Sequence, residues 1–185
     1  MPDMMGFIFY RPSPRDVSSR MDHLPLKDLP SSVISVALTV NRSTEGNIRL
    51  VRQFGFDAIQ LHGKESPEQC FEIRKHAMVI KTFSVGSVLP GSLEDYCGAC
   101  DYLLFDTAGE KPGGNSISFD HSLLNPYNGP TPFFIAGGIG PEDAEKIRDM
   151  PLKHLSGADV NSRFEVHPGY KNIQLLQRFI EELRT

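Results

Sequence analysis

The chain has 185 residues, of which 39% are hydrophobic and 23% charged, and a formal net charge of -4 at pH 7. That is enough chain to bury a core in one domain, and without a cluster of Lys or Arg there is no footprint for nucleic acid or an anionic membrane surface, so neither partner is expected. No apolar stretch approaches the ~20 residues of a membrane span.

The opening Met1-Pro2-Asp3-Met4-Met5-Gly6 lacks the basic and apolar segments of a signal peptide. Three cysteines cannot all pair within the chain, which fits a reducing compartment, so a cytoplasmic protein is expected.

The first apolar run, residues 5–10, reads as a strand and leads into Ser13-Pro14-Arg15. Residues 33–40 form the second. Ser43 can cap a helix with Ile48, Val51 and Phe54 near one face, and Gly55 can end it. After a third strand at 58–61, Ser66, Pro67, Glu68 and Gln69 make a capping-box pattern with proline at the first helical position. Strands at 78–83, 102–105, 133–136 and 158–160 bring the total to seven. Pro141, Glu142 and Asp143 place a proline and two acids in a helical first turn, where they complement the helix dipole. Ile173, Leu176, Ile180 and Leu183 recur at helical spacing near the C-terminus.

Several runs are continuously apolar, as strands buried on both faces are. Strands alternating with helices imply a parallel sheet with right-handed crossovers. Periodicity does not choose between an open doubly wound sheet and a closed barrel. No linker or low-complexity segment divides the chain, so residues 1–185 are expected to form one domain.

In a parallel barrel, reactive groups gather at the C-terminal ends of the strands. Gly137-Gly138 follows one such end. Two glycines let a backbone approach a ligand closely, and their N–H groups can cradle an anion. Asn161 and Ser162 add polar donors one strand later, so the two loops read as a phosphate site or as plain tight turns. Asp106 closes the apolar run Leu103-Leu104-Phe105. A carboxyl group bordering an apolar interior suits a general acid; an aspartate capping a loop fits the segment equally.

Gln60 and His62 follow an apolar strand, where they could contact a substrate or bond to backbone. Arg15 could hold an anionic group with its planar fork or sit solvated at the surface. Cys97 and Cys100 have redox-motif spacing but precede a strand rather than open a helix, and Cys70 reads as a core residue on a helix. No dinucleotide fingerprint, P-loop, nucleophile elbow or metal-ligand cluster occurs.

Together these segments resemble the phosphoribosylanthranilate isomerase family. The stretches that carry the resemblance begin with Gly6-Phe7-Ile8-Phe9-Tyr10, Ser13-Pro14-Arg15 and Val40-Asn41. They continue through Ile59-Gln60-Leu61-His62-Gly63-Lys64-Glu65, Leu103-Leu104-Phe105-Asp106-Thr107, and Gly113-Gly114 leading to Phe119-Asp120. The last are Ala136-Gly137-Gly138-Ile139, Ala158-Asp159-Val160 and Pro168-Gly169-Tyr170-Lys171.

The resemblance implies a (β/α)8 TIM-type barrel and an Amadori rearrangement of a phosphorylated small molecule, N-(5-phosphoribosyl)anthranilate, in tryptophan synthesis, with no metal or organic cofactor required. It makes Asp106 the general acid and Arg15 the partner of the anthranilate carboxylate. It puts Gln60 and His62 in the pocket lining and Gly137, Gly138, Asn161 and Ser162 in the phosphate loops. The family's general base is a cysteine in a Lys-Ile/Val-Cys-Gly strand end. Cys70, Cys97 and Cys100 all lie in other contexts, and the residues before Gly6 are too few for a strand and a helix. The expectation is therefore a member lacking the first strand and helix, impaired in catalysis and able to self-associate through an open barrel edge. The alternative is a non-catalytic barrel that binds a sugar phosphate. Arg163 stands where the family has glycine.

Overall fold

The computed structural model describes residues 1–24, 26–108 and 120–185. Among the described residues, seven parallel strands follow one another: β1 Met4–Phe9, β2 Ile34–Thr39, β3 Ala58–Leu61, β4 Met78–Val85, β5 Tyr102–Thr107, β6 Phe133–Ile135 and β7 Leu155–Ala158. Among the described residues the α-helices are α1 Thr44–Phe54, α2 Pro67–Arg74, α3 Ala144–Arg148 and α4 Ile173–Arg184. The chain packs as two compact units.

One unit takes in Pro2–Thr82 and Asp95–Tyr102. Its strands pair in sequence order and in parallel register: Met4 opposite Ile34 through Phe9 opposite Thr39, Val36 opposite Ala58, and Ala58 opposite Met78. Ala37, Ala58, Ile59, Leu61 and Val79 are fully enclosed, as parallel strands covered on both faces must be. The two helices of this unit start as the sequence prescribes. Ser43 accepts a hydrogen bond from the Gly46 amide at 3.1 Å, and Gly55 ends α1 in the left-handed region at φ 72°. Ser66 and Gln69 close a complete capping box on α2, with Pro67 in its first turn. The buried stripe of α1 is Asn47, Leu50 and Val51, with Ile48 and Phe54 only half-buried, so the helix is rotated from the expected face.

The other unit takes in Met1, Phe83–Glu94 and Leu103–Thr185. Here Leu103 pairs with Phe133, and β6 pairs with β7 through a bulge that sets Phe134 against Gly157. Edge-on aromatic packing fills its core: Phe105 lies 5.3 Å from Phe133 and 6.0 Å from Tyr127 between ring centroids. Phe179 of α4 meets Phe164 at 5.0 Å. On α4, Phe179 is buried and Leu176, Ile180 and Leu183 half-buried, but Ile173 is exposed.

Several expectations are corrected. β7 ends at Ala158, so the expected strand at 158–160 begins three residues earlier in fact, at Leu155. β4 and β5 each run two residues further than the apolar pattern suggests. Helices do not fill every crossover. The β1–β2 connection is made of 3-10 turns at Ser18–His23 and Leu26–Asp28, and the β4–β5 connection of one at Leu93–Tyr96. Pro14, Pro30 and Pro90 flank these connections, and proline removes a donor and blocks continuation of an α-helix. The segment at 165–171, to which the sequence pattern assigned no element, is a hairpin: β8 Glu165–His167 pairs antiparallel with β9 Tyr170–Lys171 around Gly169 at φ 84°. The glycine pair 113–114 and Phe119 lie outside the described residues. Among the described residues, no helix is long and apolar enough to cross a membrane.

Candidate active site

In the first unit, the C-terminal ends of two strands, β1 and β3, carry the candidate binding residues. Beyond β1 the chain turns back on itself: the Ser13 amide donates to the Tyr10 carbonyl at 2.8 Å, and that of Val17 to the Ile8 carbonyl at 2.9 Å. Arg15 sits half-buried in this turn, its amide held by the Ser13 hydroxyl at 3.2 Å. Gln60 lies inside β3 and is buried, and its Nε2 donates to the Thr82 hydroxyl at 3.2 Å. His62 is the first residue past β3. Its amide extends the ladder by donating to the Thr39 carbonyl at 2.9 Å.

The same strand ends hold a buried ion pair that the sequence reading passed over. Lys81 Nζ lies 3.0 Å from Glu65 Oε2, and both side chains are only 2% exposed. The signal was present: a lysine within the apolar run of β4 must find a partner, because an isolated buried charge is costly.

In the second unit, Asp106 is buried and lies within β5 rather than beyond it. Thr107 follows and touches the glycine turn after β6. Gly137 and Gly138 both have left-handed backbones, at φ 88° and 67°. A Cβ on Gly137 would fall 2.1 Å from the Thr107 hydroxyl and 2.7 Å from its amide nitrogen. Close approach of the two strand ends therefore demands glycine here.

After β7, Asn161 precedes a 3-10 turn at Ser162–Phe164. Lys171, from the hairpin, donates to both the side-chain and main-chain oxygens of Asn161 and pairs with Glu165 at 3.0 Å. The carboxamide oxygen of Asn161 is thus occupied within the fold, and its donor is the amide Nδ2.

Arg163 spans the two loops. It donates to the Gly138 carbonyl at 3.3 Å and pairs with Glu142 at 2.6 Å. A Cβ on Gly140 would lie 2.5 Å from its guanidinium carbon, so the arginine packs flush on that glycine. A backbone hydrogen bond from its own amide, with Arg163 beside it, holds the exposed Glu142 carboxyl below its ordinary range.

The three cysteines differ in burial, and Cys70 lies in the core as its helical context predicts. Cys97 is exposed, whereas Cys100 is buried with Cys70 of α2. The hydrogen bond to Cys70, together with burial, pushes the Cys100 thiol well above its ordinary range. Among the described residues, no three His, Cys, Asp or Glu side chains gather as metal ligands.

Parallel strands whose carboxyl ends carry a buried carboxyl group, a left-handed glycine turn and polar loops define an α/β protein with its candidate site at the strand ends. The chain belongs to the N-(5'phosphoribosyl)anthranilate (PRA) isomerase family, whose model matches residues 2–182. It is 37% identical over 184 residues to the N-(5'-phosphoribosyl)anthranilate isomerase of Phocaeicola vulgatus, covering 98% of this chain and 87% of that protein. The enzyme of the same name from Parabacteroides distasonis is 38% identical over 182 residues, or 97% of this chain and 82% of that protein.

Among solved structures, phosphoribosyl anthranilate isomerase from Thermotoga maritima superposes with a TM-score of 0.82 at 30% identity, covering 98% of this chain and 88% of that one. A phosphoribosyl anthranilate isomerase in complex with reduced 1-(o-carboxyphenylamino)-1-deoxyribulose 5-phosphate superposes with a TM-score of 0.79 at 29% identity, covering 98% and 87%.

Proposed function

We propose that this chain isomerises N-(5-phosphoribosyl)anthranilate to 1-(2-carboxyphenylamino)-1-deoxyribulose 5-phosphate, a step of tryptophan synthesis, on a fold of the (β/α)8 TIM type. The observation that carries the reading is Asp106, a buried carboxyl group at the C-terminal end of β5, next to Thr107, which packs against the glycine turn.

In this reading Asp106 protonates the furanose ring oxygen. The C1–O bond breaks as the anthranilate nitrogen supplies its electron pair, leaving a Schiff base. A general base then takes the C2 proton, giving an enolamine that tautomerises to the ketone. Arg15 holds the anthranilate carboxylate in a charge-assisted, bidentate contact. Gln60 and His62 line the substrate. The amides of Gly137 and Gly138, the Asn161 amide and the Ser162 hydroxyl receive the phosphate, as paired strand-end loops do in many barrels.

A second reading, binding of the sugar phosphate without turnover, is favoured by where the cysteines sit. The family resemblance assigns the base to a cysteine at a strand's C-terminal end. Here Cys70 lies in α2, and Cys97 and Cys100 lie on the approach to the N-terminal end of β5. Two measurements on the 185-residue chain separate the readings: turnover of N-(5-phosphoribosyl)anthranilate, and calorimetric titration with the reduced product analogue. Turnover supports the isomerase, binding alone supports the second reading, and neither would sink both.

A further inference from the structure

The Lys81–Glu65 pair is more heavily bonded than an ion pair placed for stability needs to be. Lys81 Nζ donates to Glu65 Oε2 at 3.0 Å, to the Gly63 carbonyl at 2.7 Å, to the Leu61 carbonyl at 3.2 Å and to the Thr82 carbonyl at 3.1 Å. Leu61 and Gly63 are the two neighbours of His62, so one ammonium grips the main chain on both sides of that histidine.

Glu65 continues the network. Its Oε1 accepts the Asn41 amide at 2.8 Å and its Oε2 the Gly63 amide at 2.9 Å. Its own carbonyl accepts the Tyr96 hydroxyl at 2.8 Å. Asn41 is held at φ 51°, the one non-glycine residue with positive φ among those described, and its Oδ1 accepts the Lys64 amide at 2.7 Å. A Cβ on Gly63 would fall 2.3 Å from that Oδ1 and 2.6 Å from Glu65 Oε1.

Burying two charges is costly, and well-packed apolar side chains of similar volume usually serve stability as well or better. What an apolar pair cannot do is bond three main-chain groups flanking one residue, here the Leu61 carbonyl and the carbonyl and amide of Gly63. We infer that Lys81 is a positioning residue: through Glu65 and the carbonyls of Leu61 and Gly63 it fixes the His62 turn in the geometry that receives substrate. This rests on the reading of Gln60 and His62 as substrate-lining. Sites that must hold a ligand to within a fraction of an ångström need such a supporting shell.

The test uses the 185-residue chain carrying Lys81→Met together with Glu65→Gln, which leaves no lone buried charge. Amide exchange at Gly63 and Lys64 should accelerate by about tenfold or more, and the Kd of the reduced product analogue should rise by a similar factor, as misplacing a binding group costs. The His62 imidazole resonances should move while those of His154 stay. His62→Ala should cost little further in this background, because its contact is already lost. Unchanged exchange and an unmoved His62 signal would overturn the inference, as would full additivity with His62→Ala.

If the double variant does not fold, Asn41→Gly keeps the positive φ and deletes only the bond to Lys64. Faster exchange at Lys64 with a displaced His62 signal supports the clamp, and an unmoved His62 overturns it. Should the wild-type chain not bind the analogue, the functional reading fails, while the exchange and imidazole signals still decide the clamp.

Discussion

Replacing Gly137 with alanine tests the contact that joins the two strand ends of the second unit. The backbone there sits at φ 88°, where an L side chain costs about 1–2 kcal/mol. The new Cβ would come within 2.1 Å of the Thr107 hydroxyl, 2.7 Å of its Cβ and 2.7 Å of its amide nitrogen. Relief requires the backbone of one loop to shift, and overpacking of that kind typically adds about 1–3 kcal/mol.

The sum, ~2–5 kcal/mol, is a large share of the ~5–15 kcal/mol that holds an ordinary domain together. At about 2–4 °C per kcal/mol for a chain of this length, the melting temperature should fall by roughly 4–20 °C. Affinity for the phosphorylated product analogue should fall with it, because the turn that moves carries the proposed phosphate donors. Urea denaturation and calorimetric titration read the two effects. Adding Thr107→Ala should recover only part of the loss, since the clash with the Thr107 amide and the positive φ both remain. A Gly137→Ala chain as stable and as tight-binding as wild type would refute the close-approach argument.

Asp106→Asn keeps the shape and removes the proton donor. If the wild-type chain turns over, kcat should drop on the order of 10²–10⁴, and a near-wild-type rate would remove Asp106 from the mechanism. The Glu142–Arg163 bridge should show a pH signature. Glu142 has its folded-state pKa lowered from 4.5, so its contribution is present above that value and is lost as pH falls through the lower folded one. Chemical-shift titration of Glu142 should therefore give a midpoint that rises toward the ordinary value in Arg163→Ala, and an unmoved midpoint would show that the bridge is absent in solution. Among the cysteines, a thiol reagent should modify Cys97 in the native chain and Cys70 and Cys100 only on unfolding, as their burial dictates. Equal labelling of all three by mass spectrometry would contradict that packing.

Local chemistry was readable from the chain alone. The caps at Ser43, Ser66 and Gly55 depend on residues three or four apart, so spacing suffices to find them. Strands such as β3 and β5 were visible as apolar runs because they are covered along nearly their whole length, whereas the run read at 158–160 shares only Ala158 with β7. The strand-end positions of Asp106, Gln60 and His62 followed from the same pattern, as did the glycine turn at 137–138.

Tertiary structure decided what depends on residues far apart in sequence. Cys97 and Cys100 are neighbours in sequence, yet Cys100 meets Cys70, because the segment Asp95–Tyr102 folds into the same unit as α2. Apolar patterning could not place Asp106 and Thr107 inside β5, since a strand's end is set by the neighbour that bonds it and not by hydropathy. Asn161 was read as a ligand donor, and only the hairpin's return to Lys171 reveals that its side-chain oxygen is engaged. Lys81 and Glu65 lie 16 residues apart, beyond any local rule. Their pairing exists because β3 and β4 run side by side, which sets Lys81 opposite Leu61, and the turn after β3 brings Glu65 back to meet it.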